Sequence, residues 1–337
     1  MDISIIIPCR NEEKFIGRCL DSIIAQDYPK ENLEVLVVDG MSEDGTREIV
    51  ERYRQQYPFI RLLNNPKKII PCALNIGIKN ARGGTIMRMD AHATYEKNYI
   101  SKCMKYLDEY NADNVGGIIV TLPRDNTFIG QAIATVLSHP FGVGNSVFRT
   151  GAKEPKWVDT VFGGCYKKEV FDKIGLFNEN LPRGQDMEFN LRLKRAGLKT
   201  LLVPEIISYY YAHSNFKSFC KHNFVNGLWA ILPFKFTRIM PVSLRHLVPF
   251  IFALSLLSSA ILSFFLPFFR GLFLLITGSY SLTNIYFSIK IALRKKNIKY
   301  LFIMPIIFLS LHLGYGFGSV CGAIRLLVPG KQNIMRK

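Results

Sequence analysis

Beyond Glu205 the chain contains no aspartate or glutamate. Fifteen of its 43 lysines and arginines lie in that stretch, which leaves 28 basic against 26 acidic groups before it. Nearly all of the formal charge of +17 therefore belongs to the back of the chain. A basic, apolar, acid-free tail suits an anionic membrane surface. Nucleic acid is disfavoured as a partner, because the basic residues flank apolar spans instead of forming one dense patch. The seven cysteines are odd in number and scattered, with no C-x-x-C pair. That speaks against a disulfide framework and a zinc site, and fits a reduced, cytosolic setting for the front of the chain. The turn after the first apolar run, PCRNEE, has no glycine to cradle a phosphate. A nucleotidyltransferase, which usually opens with a glycine-rich phosphate loop, is disfavoured on that ground.

What is present in the front half is an alternation of short apolar runs and helical patterns. ISIIIP (3–8), LEVLVVD (33–39), FIRLLN (59–64) and GGTIMRMD (83–90) read as strands. Between them, 11–26, 45–57 and 71–81 carry apolar residues at helical spacing. Continuous Val/Ile/Leu strands separated by helices indicate a mostly parallel, Rossmann-like sheet covered on both faces. Ligands in such sheets bind outside the carboxyl ends of the strands. Asp39 and Asp90 both fall at such an end. Further on, 139–155 is rich in glycine and polar groups and reads as a loop, whereas 167–175 and 185–197 read as helices and 198–204 as a strand.

The last third is built differently. Residues 247–268, 271–289 and 300–324 are free of Asp, Glu, Lys and Arg, and each is long enough to approach or exceed a bilayer core. Lys290, Arg294, Lys295, Lys296 and Lys299 separate the second run from the third, which puts that loop and the front domain on the cytoplasmic side. Three spans then leave the C-terminus outside, yet Arg325, Lys331, Arg336 and Lys337 favour inside. A re-entrant or split third run, whose glycines 314, 316, 318 and 322 are closely spaced, would reconcile the two. Residues 216–240 alternate Phe, Trp and Leu with Lys and Arg, the pattern of an amphipathic segment lying in the membrane interface. The expected organisation is a catalytic domain over 1–215, an interfacial segment over 216–246, about three transmembrane helices over 247–327 and a basic tail over 328–337.

Four polar pieces remain: IIIPCRNEE, VVDGMSEDGT, MRMDAHATY and GQDMEFNLRL. Taken singly, each has a plain structural explanation. Asp44 fits a helix cap. Asp186 fits an acid in the first turn of a helix, favoured by the dipole. A lone Asp90-x-His92 fits a capped turn. In this order and spacing, together with WVDTVFGG (157–164) and GLFNENLPRGQDMEFNLRL (175–193), they closely resemble the family 2 glycosyltransferases, inverting enzymes of the GT-A fold. Within them the chain looks most like the ExoA-like branch of exopolysaccharide and succinoglycan biosynthesis. HPFGVGNSVFR (139–149) is similar to that branch's acceptor-side loop, and SLHLGYGFGSVCG (310–322) to its C-terminal membrane segment.

The resemblance implies a set of roles. Asp39 would bind the nucleotide base, with Pro8, Arg10 and Glu12 lining the same pocket. Asp90, Ala91 and His92 stand at the family's D-x-D position, which holds the ribose and a divalent ion on the diphosphate. A hard ion such as Mg²⁺ prefers all-oxygen ligands, so His92 in place of the second Asp tolerates Mn²⁺ better and leaves the choice of Mn²⁺ or Mg²⁺ open. Gln185-Asp186 replaces the family's Glu-Asp pair, which makes Asp186 the base that takes the acceptor's proton. Glu188 would support the site or the acceptor. Asp159 would contact the acceptor or serve structure, and Gly163, Gly164 and Gln185 would stand on the same acceptor side. The processive relatives' Q-x-x-R-W is absent: the comparable stretch is HNFVNGLW, without the arginine. The implied activity is transfer of one sugar from a nucleotide-sugar, UDP-linked in the commonest case, to a polyprenyl-linked or polysaccharide acceptor. The setting is the cytoplasmic face of the plasma membrane, in contact with membrane lipid. The alternative is a non-catalytic membrane-bound GT-A module in polysaccharide assembly.

Overall fold

The computed structural model describes residues 1–237 and 244–327. The expected basic tail at 328–337 and a short part of the expected interfacial segment lie outside the described residues. In chain order the elements are β1 (Ile3–Cys9), α1 (Ile16–Ile24), β2 (Leu33–Asp39), α2 (Thr46–Gln56), β3 (Ile60–Asn64), α3 (Ile70–Asn80), β4 (Thr85–Arg88) and β5 (Ala93–Tyr95). They continue with α4 (Tyr99–Glu109), β6 (Asn114–Pro123), α5 (Phe128–Val136), α6 (Pro140–Val143), α7 (Val147–Thr150), β7 (Lys156–Val158), β8 (Cys165–Lys167), α8 (Glu169–Ile174) and α9 (Gln185–Arg195). Last come β9 (Thr200–Ala212), α10 (Phe216–Ile231), α11 (Leu244–Leu262), α12 (Pro267–Lys295) and α13 (Lys299–Leu327). Contacts gather these into two units, one of residues 1–122 and 146–211, the other of residues 123–145 and 212 onward.

The first unit is built on one sheet in the order β3-β2-β1-β4-β8-β6-β9-β5, with β7 paired to β9. β1 pairs in parallel with β2 and β4, and β2 with β3. The period-2 geometry of these strands explains their unbroken hydrophobicity. Ile3, Ile5 and Ile7 of β1, with Val35 and Val37 of β2, point into a core completed by Ile16, Cys19, Leu20 and Ile23 of α1. Ile6, Leu36 and Val38 point to the other face, against Ala73, Leu74 and Ile78 of α3. Both faces are thus dry, and a polar residue is tolerated only at the strand ends. The mostly parallel sheet expected from the sequence holds for this half alone. β8 is antiparallel to β4 and β6, and β5 and β7 are antiparallel to β9. In the order 3-2-1-4 the chain direction of the windings switches between β1 and β4, where open α/β sheets form their crevice.

The second unit is helical. α11, α12 and α13 are each long and apolar enough to cross a membrane. The third apolar run is one unbroken helix of 29 residues, so the split or re-entrant form is not adopted. Its glycines serve close packing, as small residues do between helices that lack a hydrophobic drive to associate. A Cβ on Gly318 would run into the Phe224 carbonyl of α10, and one on Gly227 of α10 into the Tyr315 carbonyl of α13. The segment expected to lie in the interface is therefore in part a core helix, with residues 227–231 all buried.

The polar side chains of this unit are matched to one another. His312 Nε2 donates to the Phe141 carbonyl and Nδ1 accepts from the Tyr280 hydroxyl, both at 2.9 Å. Asn284 Nδ2 donates to the Pro305 carbonyl at 3.0 Å. The HPFG and SLHLGYG stretches thus meet. Residues 139–155, expected as a loop, contain two short helices because Pro140 is pre-set for a first helical position and His139 Nδ1 accepts from the Phe141 amide.

One packing prediction arises here. Gly227→Leu puts a side chain against backbone that cannot rotate away, and is expected to destabilise the unit by about 3 kcal/mol or more. Gly271→Ala, where a Cβ meets nothing within 4 Å, is expected to be tolerated. Thermal melting of the two variants in detergent checks the contrast.

Candidate active site

The carboxyl ends of β1 and β2 are joined before any ligand is considered. Cys9 and Asp39 are opposite each other in register, and the turns that follow are laced together. The Asn11 amide donates to Ser42 Oγ at 2.9 Å, the Glu12 amide to Thr46 Oγ1 at 2.8 Å, and the Glu43 amide to Asn11 Oδ1 at 3.0 Å. Asn11 has a positive φ of 55°, a value Asn tolerates better than most residues. The N-cap of α2 is Gly45 and not Asp44, which stands one residue ahead and accepts from the Thr46 amide and hydroxyl. Burial pushes the Asp44 pKa up, and the bonds from Thr46 outweigh that and hold it low.

Asp39 is 1% exposed. Its carboxylate accepts from the Ser42 hydroxyl at 2.5 Å and the Ser42 amide at 3.1 Å, and pairs with Arg47 at 2.6 Å. A buried carboxylate so served is rigid. The neighbouring Cys9 thiol is pushed up in pKa by burial and then by Asp39 and Glu12, which keeps it neutral and unreactive. Pro8 occupies β1 beside Val38. Arg10 is exposed and reaches Glu43 at 3.9 Å. Its stem lies against Gly40, where a Cβ would meet Arg10 Cβ at 3.2 Å.

Asp90 leaves the end of β4. Its amide donates to the Tyr95 hydroxyl at 2.7 Å, and its Oδ1 accepts from Arg88 at 3.1 and 3.3 Å. Ala91 is buried. His92 Nδ1 lies 3.1 Å from Glu12 Oε1, so the turn after β1 and the DAH turn are bonded across 80 residues of sequence. The imidazole also packs edge-on against Tyr210, ring centroids 5.1 Å apart. Glu12, expected to line the nucleotide pocket, is thus engaged with His92.

Arg88 pairs with Asp90 and lies within electrostatic reach of Asp186. Burial alone would lower its pKa, but Asp90 first and Asp186 next act against that, and the net shift is upward. One guanidinium therefore lies in the field of both carboxylates. Gly163 and Gly164 explain how β8 comes so near. They have φ of 70° and 110°, and a Cβ on Gly163 would stand 2.6 Å from the Arg88 carbonyl. The Arg88 amide donates to the Gly164 carbonyl at 2.9 Å. Only glycine meets both demands.

Asp186 is exposed in the first turn of α9, which starts at Gly184 in the left-handed region, φ 73°. Its Oδ1 accepts from the Met187 amide at 3.0 Å. Gln185 is buried, and its Oε1 has no hydrogen-bond partner among the described residues. Glu188 is turned elsewhere. It is held by Arg192 at 2.7 and 2.9 Å, and Arg192 also donates to the carbonyls of Ile174, Gly175 and Leu176. That clamp fastens the start of the 175–184 segment and leaves Glu188 little freedom as a base. Asp159 pairs with Lys194 at 2.7 Å, beside Trp157 and Asn190 in a cleft of about 380 Å³. Lys194 is eight residues along α9 from Asp186, about 12 Å at 1.5 Å per residue. The structure thus bonds Glu12 to His92, sets Asp39 at the adjoining strand end beside Cys9, leaves Asp186 in the electrostatic surroundings of Arg88, and pairs Asp159 with Lys194 instead.

The donors available for a cation are one carboxylate and one imidazole. Among the described residues no group of three or more His, Cys, Asp or Glu side chains is set to hold a metal. Asp90 and His92 fit an ion only in company with ligand oxygens, such as those of a diphosphate. The mixed oxygen and nitrogen set suits a transition ion better than Mg²⁺.

Residues 4–175, just over half of the chain, match the profile of glycosyl transferase family 2. This chain belongs to that family. It is 33% identical over 282 residues, 77% of its own length and 86% of the relative's, to the Methanococcus voltae dolichyl N-acetyl-alpha-D-glucosaminyl phosphate 3-beta-D-2,3-diacetamido-2,3-dideoxy-beta-D-glucuronosyltransferase. It is 30% identical over 248 residues, 68% of its own length and 73% of the relative's, to the succinoglycan biosynthesis protein ExoA of Rhizobium meliloti. A mannosyltransferase of Pyrobaculum calidifontis, solved with GDP-Man and Mn²⁺, shares the fold at a TM-score of 0.60 and 20% identity, over 95% of this chain and 86% of that one. The GT-A-like architecture and glycosyltransferase activity implied by the motifs are therefore those of this protein. Sequence reasoning missed Arg47, Arg88 and Tyr210. Arg88 stands inside MRMDAHATY and Arg47 directly follows VVDGMSEDGT, both stretches singled out for their acids, where an arginine beside a strand-end Asp was the available signal.

Proposed function

We propose that this family 2 glycosyltransferase is membrane-anchored and moves one sugar, with inversion, from a nucleotide-sugar to a lipid-linked acceptor at the cytoplasmic face. The carrying observation is the joining of the strand-end turns, Glu12 to His92 at 3.1 Å and Arg88 to Asp90 at 3.1 Å, with Asp186 in the electrostatic surroundings of the same Arg88. Asp39, fixed by Ser42 and Arg47, receives the base. Asp90 and His92 would hold a divalent ion, which when bound would offset the charge that develops on the leaving group. Asp186 is exposed, takes the proton from the incoming hydroxyl, and lies where the helix dipole favours its anion. Three helices fit to span a bilayer support multi-pass anchoring, and the cationic stretch 290–299 supports a cytoplasmic catalytic unit. The lipid-linked acceptor rests on the Methanococcus voltae relative, which by its name acts on a dolichyl-phosphate-linked sugar.

The test uses the full chain in detergent with UDP-glucose, UDP-N-acetylglucosamine or GDP-mannose and a polyprenyl-phosphate-linked sugar. Release of nucleoside diphosphate is expected with one of these donors, in Mn²⁺ above Mg²⁺, and is expected to vanish in EDTA. Binding of donor without any turnover, on every acceptor offered, would favour a non-catalytic module instead.

A further inference from the structure

Between Asp125 and Arg149 the chain has no Asp, Glu, Lys or Arg over 23 residues, 126–148. All but the last three belong to the helical unit, where they form α5, a turn and α6. Their packing partners there are helices of membrane type. Ile133 and Val136 of α5 share a cluster with Ile291 of α12 and with Met304 and Phe308 of α13.

α13 serves as a ruler for depth. Phe128, at the start of α5, packs on Tyr300 with ring centroids 5.0 Å apart, and Gln131 Oε1 accepts from the Tyr300 hydroxyl at 3.2 Å. Tyr300 follows Lys299, the last of the cations that mark the cytoplasmic headgroups. At the far end the Phe141 carbonyl accepts from His312. From Tyr300 to His312 the helix rises about 18 Å at 1.5 Å per residue. The hydrocarbon of a bilayer is about 30 Å thick, so a segment that keeps pace with α13 over that rise lies inside it.

Two further observations agree. α12 runs antiparallel beside α13, with the Tyr280 hydroxyl bonded to His312 and Asn284 to the Pro305 carbonyl. At the level of α5 these two helices present Leu282, Leu293 and Phe302, each at least 70% exposed. A surface in water does not carry such a patch without a partner. The turn from α5 to α6, moreover, asks nothing of water. The amides of Leu137, Ser138 and His139 donate to the carbonyls of Ile133, Thr135 and Val136, and those of Gly142, Val143 and Gly144 to His139 and Pro140. The Phe141 amide donates to His139 Nδ1, and Pro140 has no amide hydrogen. Non-helical backbone is tolerated at membrane depth only where its polar groups are served in this way.

Arg245, in the first turn of α11, is the group that argues for a different level. A Cβ on Gly144 would stand 3.8 Å from Arg245 Cβ. A bilayer that began there would leave α5 and the exposed apolar side chains beside it in water. A guanidinium on a long stem snorkels towards the headgroups, whereas Leu282, Leu293 and Phe302 have no such escape.

We infer that residues 126–145 are a re-entrant hairpin held in the cytoplasmic leaflet, with lipid hydrocarbon as the partner of its outer side. Ile129, exposed on α5, meets that lipid. The inference rests on the anchoring proposed above, and adds to the three spans a membrane element that enters and leaves on one side.

The test uses the wild-type chain. It is placed in nanodiscs of phosphatidylethanolamine and phosphatidylglycerol containing a phosphatidylcholine with a photoactivated diazirine on one acyl chain. Adducts are located by mass spectrometry after trypsin. Cleavage after Arg124 and Arg149 releases 125–149 as one peptide, cleavage after Arg270 and Lys290 releases 271–290 of α12, and cleavage after Lys30 and Arg47 releases 31–47, which contains β2. Label is expected in 125–149, at Ile129 first, at a yield close to that of 271–290, with 31–47 at background. Label in 271–290 with none in 125–149 would overturn the hairpin and leave the anchor standing. Absence of label from both would sink the anchor, and the hairpin with it.

Discussion

Asp186→Asn is expected to slow sugar transfer by about 10²- to 10⁴-fold while nucleoside diphosphate affinity stays near that of the wild type. The two parts of that outcome have separate causes. An amide is the same size as the carboxylate but takes no proton, so the acceptor hydroxyl loses its base. Binding survives because Asp186 holds nothing essential: its carboxylate accepts from the Met187 amide, a bond that the side-chain oxygen of Asn accepts equally. Arg88 keeps its direct partner, Asp90. Loss of a first-turn acid costs the helix about 0.3–1 kcal/mol, too little to unfold the unit. Glu188→Gln is the contrast, since it weakens the Arg192 clamp and is expected to lower the melting temperature more than the rate. Steady-state kinetics with a binding titration decide it. Nucleotide affinity that falls as far as the rate in Asp186→Asn would move Asp186 from base to donor ligand.

Those expectations depend on what the sequence could and could not disclose. β1, β2 and α9 were legible because their residues answer to local rules: unbroken apolar runs for strands buried on both faces, and acids just past a glycine for a helix start. Asp39 and Asp90 could be placed at strand ends by the same logic. β5, β7 and β8 are three residues each, too short to carry a period, and their pairing with β9 and β4 comes from the whole sheet. The antiparallel half of the sheet was invisible for that reason, and the parallel half was taken for the whole. The contact of Glu12 with His92 spans 80 residues; both had been assigned to the site, but nothing local showed that they meet. Asp159 misled in the opposite sense. Its motif stands near Gly163 and Gly164 in sequence, yet β7 carries it to Lys194, two turns down α9 from Asp186. The closely spaced glycines of the last apolar run have two uses, a break or a close crossing, and only the position of α10 decides between them.

Glu12 carries the second large expected effect. Glu12→Ala is expected to weaken Mn²⁺ binding, measured by electron paramagnetic resonance in the presence of UDP or GDP, by about 10- to 100-fold. The imidazole of His92 has two nitrogens, and Nδ1 faces the Glu12 carboxylate at 3.1 Å. With its proton on Nδ1, the ring presents the Nε2 lone pair outward, the form a metal ion takes. Without the carboxylate the ring is free to exchange tautomers, and the edge contact with Tyr210 remains to hold its plane. The loss is not expected to spread, because the turn is held through the Glu12 amide, which donates to Thr46 Oγ1 whatever the side chain. Glu12→Gln is therefore the informative partner. Its amide oxygen still accepts from Nδ1, so it is expected to recover most of the affinity, which a need for negative charge alone would not allow. His92→Ala sets the floor of the scale. If Glu12→Ala binds Mn²⁺ as wild type does while His92→Ala does not, His92 is oriented by something other than Glu12, and Glu12 returns to the nucleotide pocket where the sequence had put it.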